Sequence, residues 1–91
     1  MVYVINLEDG GGNEFFFTAE GGLIGLSSDG PEQPQEFRNY KLTAKRIDQL
    51  KPRYPLTCRL YALERRDFDK RRQVLQITPA KTEGGQEERP E

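Results

Sequence analysis

The chain has 91 residues, 34% of them hydrophobic and 32% charged, with a formal net charge of −1. That length fits one domain with a modest core, and the polar balance predicts that part of the chain stays unpacked. One cysteine and no histidine exclude an internal disulfide and a Cys/His metal site within a single chain.

In chain order, Met1 to Glu8 reads as a first strand in which Tyr3, Ile5 and Leu7 alternate with Val2 and Val4. Apolar residues on both faces predict a central strand. Asp9 to Asn13, with three glycines, reads as a hairpin loop, and Glu14 to Ala19 as its partner strand. Phe15 and Phe17 take one face there and Phe16 the other, which predicts cover on both sides. Glu20-Gly21-Gly22 is a second turn before a short strand, Leu23 to Ser27, with Ile24 and Leu26 on one face. Ser28 to Gln35 lacks any apolar side chain other than its prolines and reads as an exposed loop.

Glu36 to Leu42 is consistent with a fourth strand. A two-turn helix follows, with Thr43 as its N-cap, Ala44, Ile47 and Leu50 on one face, and Pro52 as its stop. From Pro55 to Thr78 the pattern reads as a closing hairpin. Leu56, Cys58, Leu60 and Ala62 would line one face, with Thr57, Arg59, Tyr61 and Leu63 on the other. Gln73 to Thr78 would be the returning strand, and the run Glu64 to Arg72 would form an exposed, charged tip. The expected architecture is one mainly β domain over residues 1–80, in the order β-β-β-(β)-α-β-β with one short helix. That order fits a barrel-like fold of OB or SH3 type. Residues 81–91 read as a disordered acidic tail.

Charge is segregated along the chain. Residues 1–36 hold seven acids and no base, residues 37–81 thirteen bases against four acids, and residues 82–91 one base against four acids. The basic segment interleaves cations with aromatic rings. Arg38, Lys41, Lys45 and Arg46 fall near the helix, Arg59 and Tyr61 on one outward strand face, and Arg65, Arg66, Phe68, Arg71 and Arg72 at the hairpin tip. Cations that track a backbone, with rings on which bases stack, are what single-stranded DNA or RNA binding requires. The same surface would serve an adaptor or inhibitor that docks an acidic protein, or a subunit of a homo-oligomer. The bland alternative is that the acidic and basic halves neutralise each other within one monomer.

Catalysis and cofactors find no support in the sequence. No serine or cysteine has an identifiable activating partner, the triple glycine is followed by no Lys-Ser/Thr pair, and Asp67 and Asp69 are ringed by cations that would compete with a metal. Cys58 reads as a small core residue. No stretch approaches the roughly 18 apolar residues of a membrane span, and no cation precedes Arg38 to open a secretory signal. The expectation is a non-enzymatic, cytoplasmic binding domain without cofactor, metal or membrane contact.

Overall fold

The computed structural model describes residues 1–77. Its centre is a four-stranded antiparallel sheet made of β1 (Tyr3–Glu8), β2 (Glu14–Phe17), β3 (Leu23–Gly25) and β4 (Arg59–Glu64), in the order β3-β2-β1-β4. Helix α1 (Tyr40–Leu50) runs into a single 3-10 turn, Lys51–Arg53, between β3 and β4, and helix α2 (Arg65–Ile77) follows β4 directly.

β1 is central, as its two apolar faces predict. Ile5 and Leu7 enter a core with Phe17, Ile47, Leu50 and Leu60, whereas Val4 enters a second core with Phe16, Leu26 and Phe68. The period of two sorts the phenylalanines in the same way: Phe15 and Phe17 face α1, and Phe16 faces α2. The helices therefore cover opposite faces of the sheet. The β1–β2 hairpin, in which Leu7 pairs with Phe15 and Asn6 with Phe16, closes through Asp9. The Asp9 carboxylate accepts from the amides of Gly11 and Asn13 at 2.8 and 2.9 Å, and Gly12 takes a φ of 85° that a side chain would resist. Those bonds, the Asn13 side chain foremost, hold the Asp9 carboxyl below its ordinary pKa.

Four expectations change. Among the described residues the sheet is open, with no strand to close a barrel, because the residues after β4 form a helix and not a returning strand. In Arg65–Ile77 the core-facing residues Phe68, Arg72 and Leu75 recur at the three- and four-residue spacing of a helix, and the Arg, Lys and Gln residues between them propagate a helix readily. The segment Glu36 to Leu42 supplies a single bridge and no strand: Tyr3 and Phe37 exchange both backbone bonds at 2.8 Å, and α1 begins at Tyr40. Asn39, not Thr43, caps that helix, its Oδ1 accepting from the Leu42 amide at 2.9 Å. Thr43 is instead buried inside the helix and donates to the Asn39 carbonyl at 2.8 Å. The loop from Ser28 to Gln35, expected to be exposed throughout, has a buried Pro34, and α2 holds three of its carbonyls. The returning strand to Thr78 overlaps α2 up to Ile77; Thr78 and the tail 81–91 lie outside the described residues.

Candidate acidic-partner interface

The basic residues divide into two groups on opposite sides of the sheet. On the α2 side most are already engaged. Arg65 donates from Nη1 to Glu36 at 2.8 Å, from Nε to Asp69 at 2.9 Å and from Nη2 to Gln33 at 2.7 Å. Arg71 grips Glu14 through both Nε and Nη2, and Arg59 pairs with Glu8 at 2.7 Å while lying 5.0 Å over the Tyr61 ring. Arg66 approaches Glu64 only at 3.5 Å and is mostly exposed.

Arg72 and Phe68 differ most from an exposed tip. Phe68 has no exposed surface and stacks edge-on against Phe16, with ring centroids 5.3 Å apart. Arg72 is 9% exposed. Its Nη1 donates to the Glu32 carbonyl at 2.9 Å, its Nη2 to those of Ser28 and Gly30 at 3.1 and 3.2 Å, and its guanidinium lies 4.8 Å over Phe16. Fixed donors in a planar fork suit such a fan of carbonyls. These two residues hold α2 and the loop to the sheet and offer nothing to a partner.

Three of the acids that take up the α2-side cations, Glu8, Glu14 and Glu36, come from the acidic segment 1–36, and Glu64 and Asp69 are local. Glu8 and Glu14 are paired across β1 and β2, and Arg59 and Arg71 bracket them from β4 and α2. The hydrogen bond from Arg71 holds the half-buried Glu14 carboxyl below its ordinary pKa. The same bond raises that of Arg71, and Glu8 raises that of Arg59. On this side the two halves of the chain neutralise each other.

The α1 side is different. Thr43, Ile47 and Leu50 turn inward, which leaves Lys41 and Lys45, one helical turn apart, on the outward face. Arg38 precedes the helix, and Lys51 and Arg53 follow it in the 3-10 turn; all are exposed. Arg46, half-buried at the flank, donates to Gln49 at 3.0 Å. None of these six cations has a carboxylate within ion-pairing distance among the described residues. Asp48 is the one acid between Arg38 and Arg53. Tyr40 is 60% exposed at the start of the helix, its ring edge-on to Tyr3 at 5.8 Å. Lys51 and Arg53, absent from the sequence-derived set of contact residues, thus join Arg38, Lys41, Lys45 and Arg46, and the charge run alone did not separate them from the engaged arginines.

Beyond the 3-10 turn lies a hollow of about 290 Å³ lined by Lys51, Tyr54, Pro55, Leu56, Cys58, Arg59 and Leu60. Leu56, expected to face inward, is fully exposed at its rim because β4 starts only at Arg59. Cys58 is a free thiol, half-buried against the α1-side core. Among the described residues no group of three or more Cys, Asp or Glu is placed to hold a metal ion, and no helix is long and apolar enough to cross a membrane. Comparison with known proteins found no matching family model, and no curated protein or solved structure similar to the chain.

Proposed function

We propose that the chain is a non-enzymatic binding module for an acidic ligand, with the outward side of α1 and the 3-10 turn as its contact surface. The observation that carries this reading is the contrast between the two sides: around α2 most cations are engaged, Lys70 excepted, and around α1 six cations have no carboxylate partner among the described residues. Unpaired surface cations keep their full attraction for an incoming anion, because no internal ion pair has to be broken first. Single-stranded nucleic acid is the favoured ligand, since Tyr40 offers an exposed ring for stacking beside Lys41 and Arg38. Both faces of the sheet are covered by helices, so a base-stacking platform on the sheet forms no part of this proposal.

A second reading, docking on an acidic protein surface, is favoured by Leu56. A fully exposed leucine at the rim of a hollow next to Lys51 and Arg59 resembles the apolar anchor and charged surround of a protein interface.

The test is fluorescence anisotropy of a labelled mixed-sequence single strand at about 50 and 200 mM salt, comparing the wild type with a Lys41→Glu/Lys45→Glu variant. The expected result is binding that weakens with salt, and a variant whose log–log salt slope is shallower by about 1.4. No binding at the lower salt, or an unchanged slope in the variant, overturns the nucleic-acid reading. Loss of capture by an acidic protein on Leu56→Ser, with Tyr40→Ala neutral, would support the second reading.

A further inference from the structure

β4 is an edge strand whose outer side is open among the described residues. In an antiparallel pair every second residue directs both its N–H and C=O to the neighbour, and the residues between direct theirs away. The Arg65 amide donates to Val2 at 2.8 Å, and Tyr3 spends its own amide and carbonyl on Phe37, on the opposite side of β1. With Tyr3 opposite Glu64 and Glu8 opposite Arg59, the residues of β4 bonded to β1 are therefore Arg59, Tyr61 and Leu63. Leu60, Ala62 and Glu64 point their amides outward; Leu60 and Ala62 have no other backbone partner among the described residues, whereas the Glu64 carbonyl, directly before α2, takes the first bond of that helix.

Edge strands of soluble proteins are commonly blunted by a proline, a bulge, a lysine or extreme shortness. β3, at the other edge, is three residues long and ends in glycine. β4 has no proline, bulge or lysine, and its two charged residues, Arg59 and Glu64, stand only at its ends: it is six residues long, RLYALE, and its register with β1 runs unbroken.

We propose that this edge pairs with β4 of a second copy of the chain, antiparallel, about a two-fold axis that passes through Ala62. The symmetry of the outward residues about Ala62, the smallest side chain of the strand, points to a copy of itself. Two-fold pairing that keeps each face of the sheet continuous requires a residue to lie opposite its own counterpart, and outward-directed residues to meet outward-directed ones. An axis through any residue of the strand meets both conditions, and the one at Ala62 alone also brings all three outward residues opposite one another. Ala62 faces Ala62 of the second copy and exchanges both bonds with it, and Leu60 faces its Glu64, whose amide donates across the axis while its carbonyl serves α2. The smallest side chain of the strand lies on the axis, where two copies of one residue must face each other. On the α2 face the half-buried Tyr61 comes opposite Leu63 of the second copy, an aromatic–aliphatic cross-strand pair. Arg59 comes opposite the second copy's Arg65, but each already has its own acids, Glu8 for the first and Glu36 and Asp69 for the second.

The helices fit the same axis. α1 packs on β1 and β4. With strands about 4.8 Å apart, two such helices on one face of the joined sheet would run about 10 Å from each other, the spacing of packed helices.

Two measurements on the full chain test the proposal: sedimentation equilibrium, and amide hydrogen exchange followed residue by residue, both across a concentration series. The expected result is a species of twice the 10.5 kDa chain mass at micromolar concentration. In step with it, the amides of Leu60, Ala62 and Glu64 should slow at least tenfold as concentration rises, while those of Tyr61 and Leu63 are slow throughout. Ala62→Pro, which removes only an outward amide, should return the chain to monomer with its urea midpoint unchanged. A monomer at about 100 µM, a dimer in which those three amides stay fast, or a folded Ala62→Pro variant that still dimerises overturns the proposal. So does protection of the three amides in a monomer, which would mean that the chain covers its own edge. Should Ala62→Pro fail to fold, the exchange pattern of the wild type decides.

Discussion

Phe68→Ala tests the placement of α2 directly, because the two readings of that residue make opposite predictions. At an exposed tip the ring would be a partner anchor, and its removal would leave stability unchanged. In the structure Phe68 is wholly buried, stacked on Phe16 and overlain by the Arg65 guanidinium at 5.6 Å. Truncating a buried phenylalanine to alanine costs about 3–5 kcal/mol, the lost transfer energy adding to that of the cavity left behind. A domain of this size has a total stability of about 5–12 kcal/mol at 0.05–0.15 kcal/mol per residue. The substitution therefore removes a quarter or more of it, and at about 4–8 °C per kcal/mol it lowers Tm by at least about 12 °C. With four tyrosines and no tryptophan in the chain, urea unfolding is best followed by far-UV circular dichroism. Lys70→Ala, at an exposed position of the same helix, is the control and should stay within about 0.5 kcal/mol of wild type. A Phe68→Ala variant as stable as that control would refute the docking of α2 on the sheet.

Two further outcomes follow from the polar groups on the α2 side. Asn6 is fully buried, and neither its Nδ2 nor its Oδ1 has a partner, so Asn6→Val should raise stability by about 1–3 kcal/mol. A loss of stability in that variant, read from its urea midpoint, would mean that the amide is satisfied in the folded protein. Glu14, whose pKa the bond to Arg71 lowers, contributes stability that is complete above its unfolded value and disappears as pH falls through the folded one. The wild type should therefore lose more stability than Arg71→Gln between pH 6 and 3, by about 1 kcal/mol; parallel pH profiles would show that the pair is neutral to folding.

The sequence pattern was reliable where each residue's place in the core is announced by its own polarity. Val4 against Ile5 and Leu7, and Phe16 against Phe15 and Phe17, separate the two faces by simple alternation, and the faces are those of the structure. α2 escapes the pattern because a cation occupies one of its core positions. With Arg72 counted as polar, Phe68 and Leu75 are too far apart to announce a helical stripe, and what remains, Val74 beside Leu75 and Ile77, mimics a strand. The cap of α1 was misplaced for a related reason: Tyr40, Lys41 and Leu42 are exposed, so the apolar period starts only at Thr43. Which cations are free could not be read at all. That depends on the partners Glu8, Glu14 and Glu36, which lie far away in sequence and meet Arg59, Arg71 and Arg65 only in the folded chain.

The strand order also has a consequence for how the chain is made. β1 is synthesised first yet sits between a neighbour that follows at once and one, β4, that lies roughly sixty residues later, as the pairing of Tyr3 with Glu64 shows. On the ribosome, β1 and β2 can form their hairpin early, but the other edge of β1 and both apolar faces of the sheet wait for more than half of the chain to emerge. A nascent chain interrupted before Arg59 would expose a strand edge lined by Val4, Ile5 and Leu7, the very surface that chaperones recognise and that aggregates propagate along. A pause in translation between α1 and α2 would thus lengthen the time for which that edge stands uncovered.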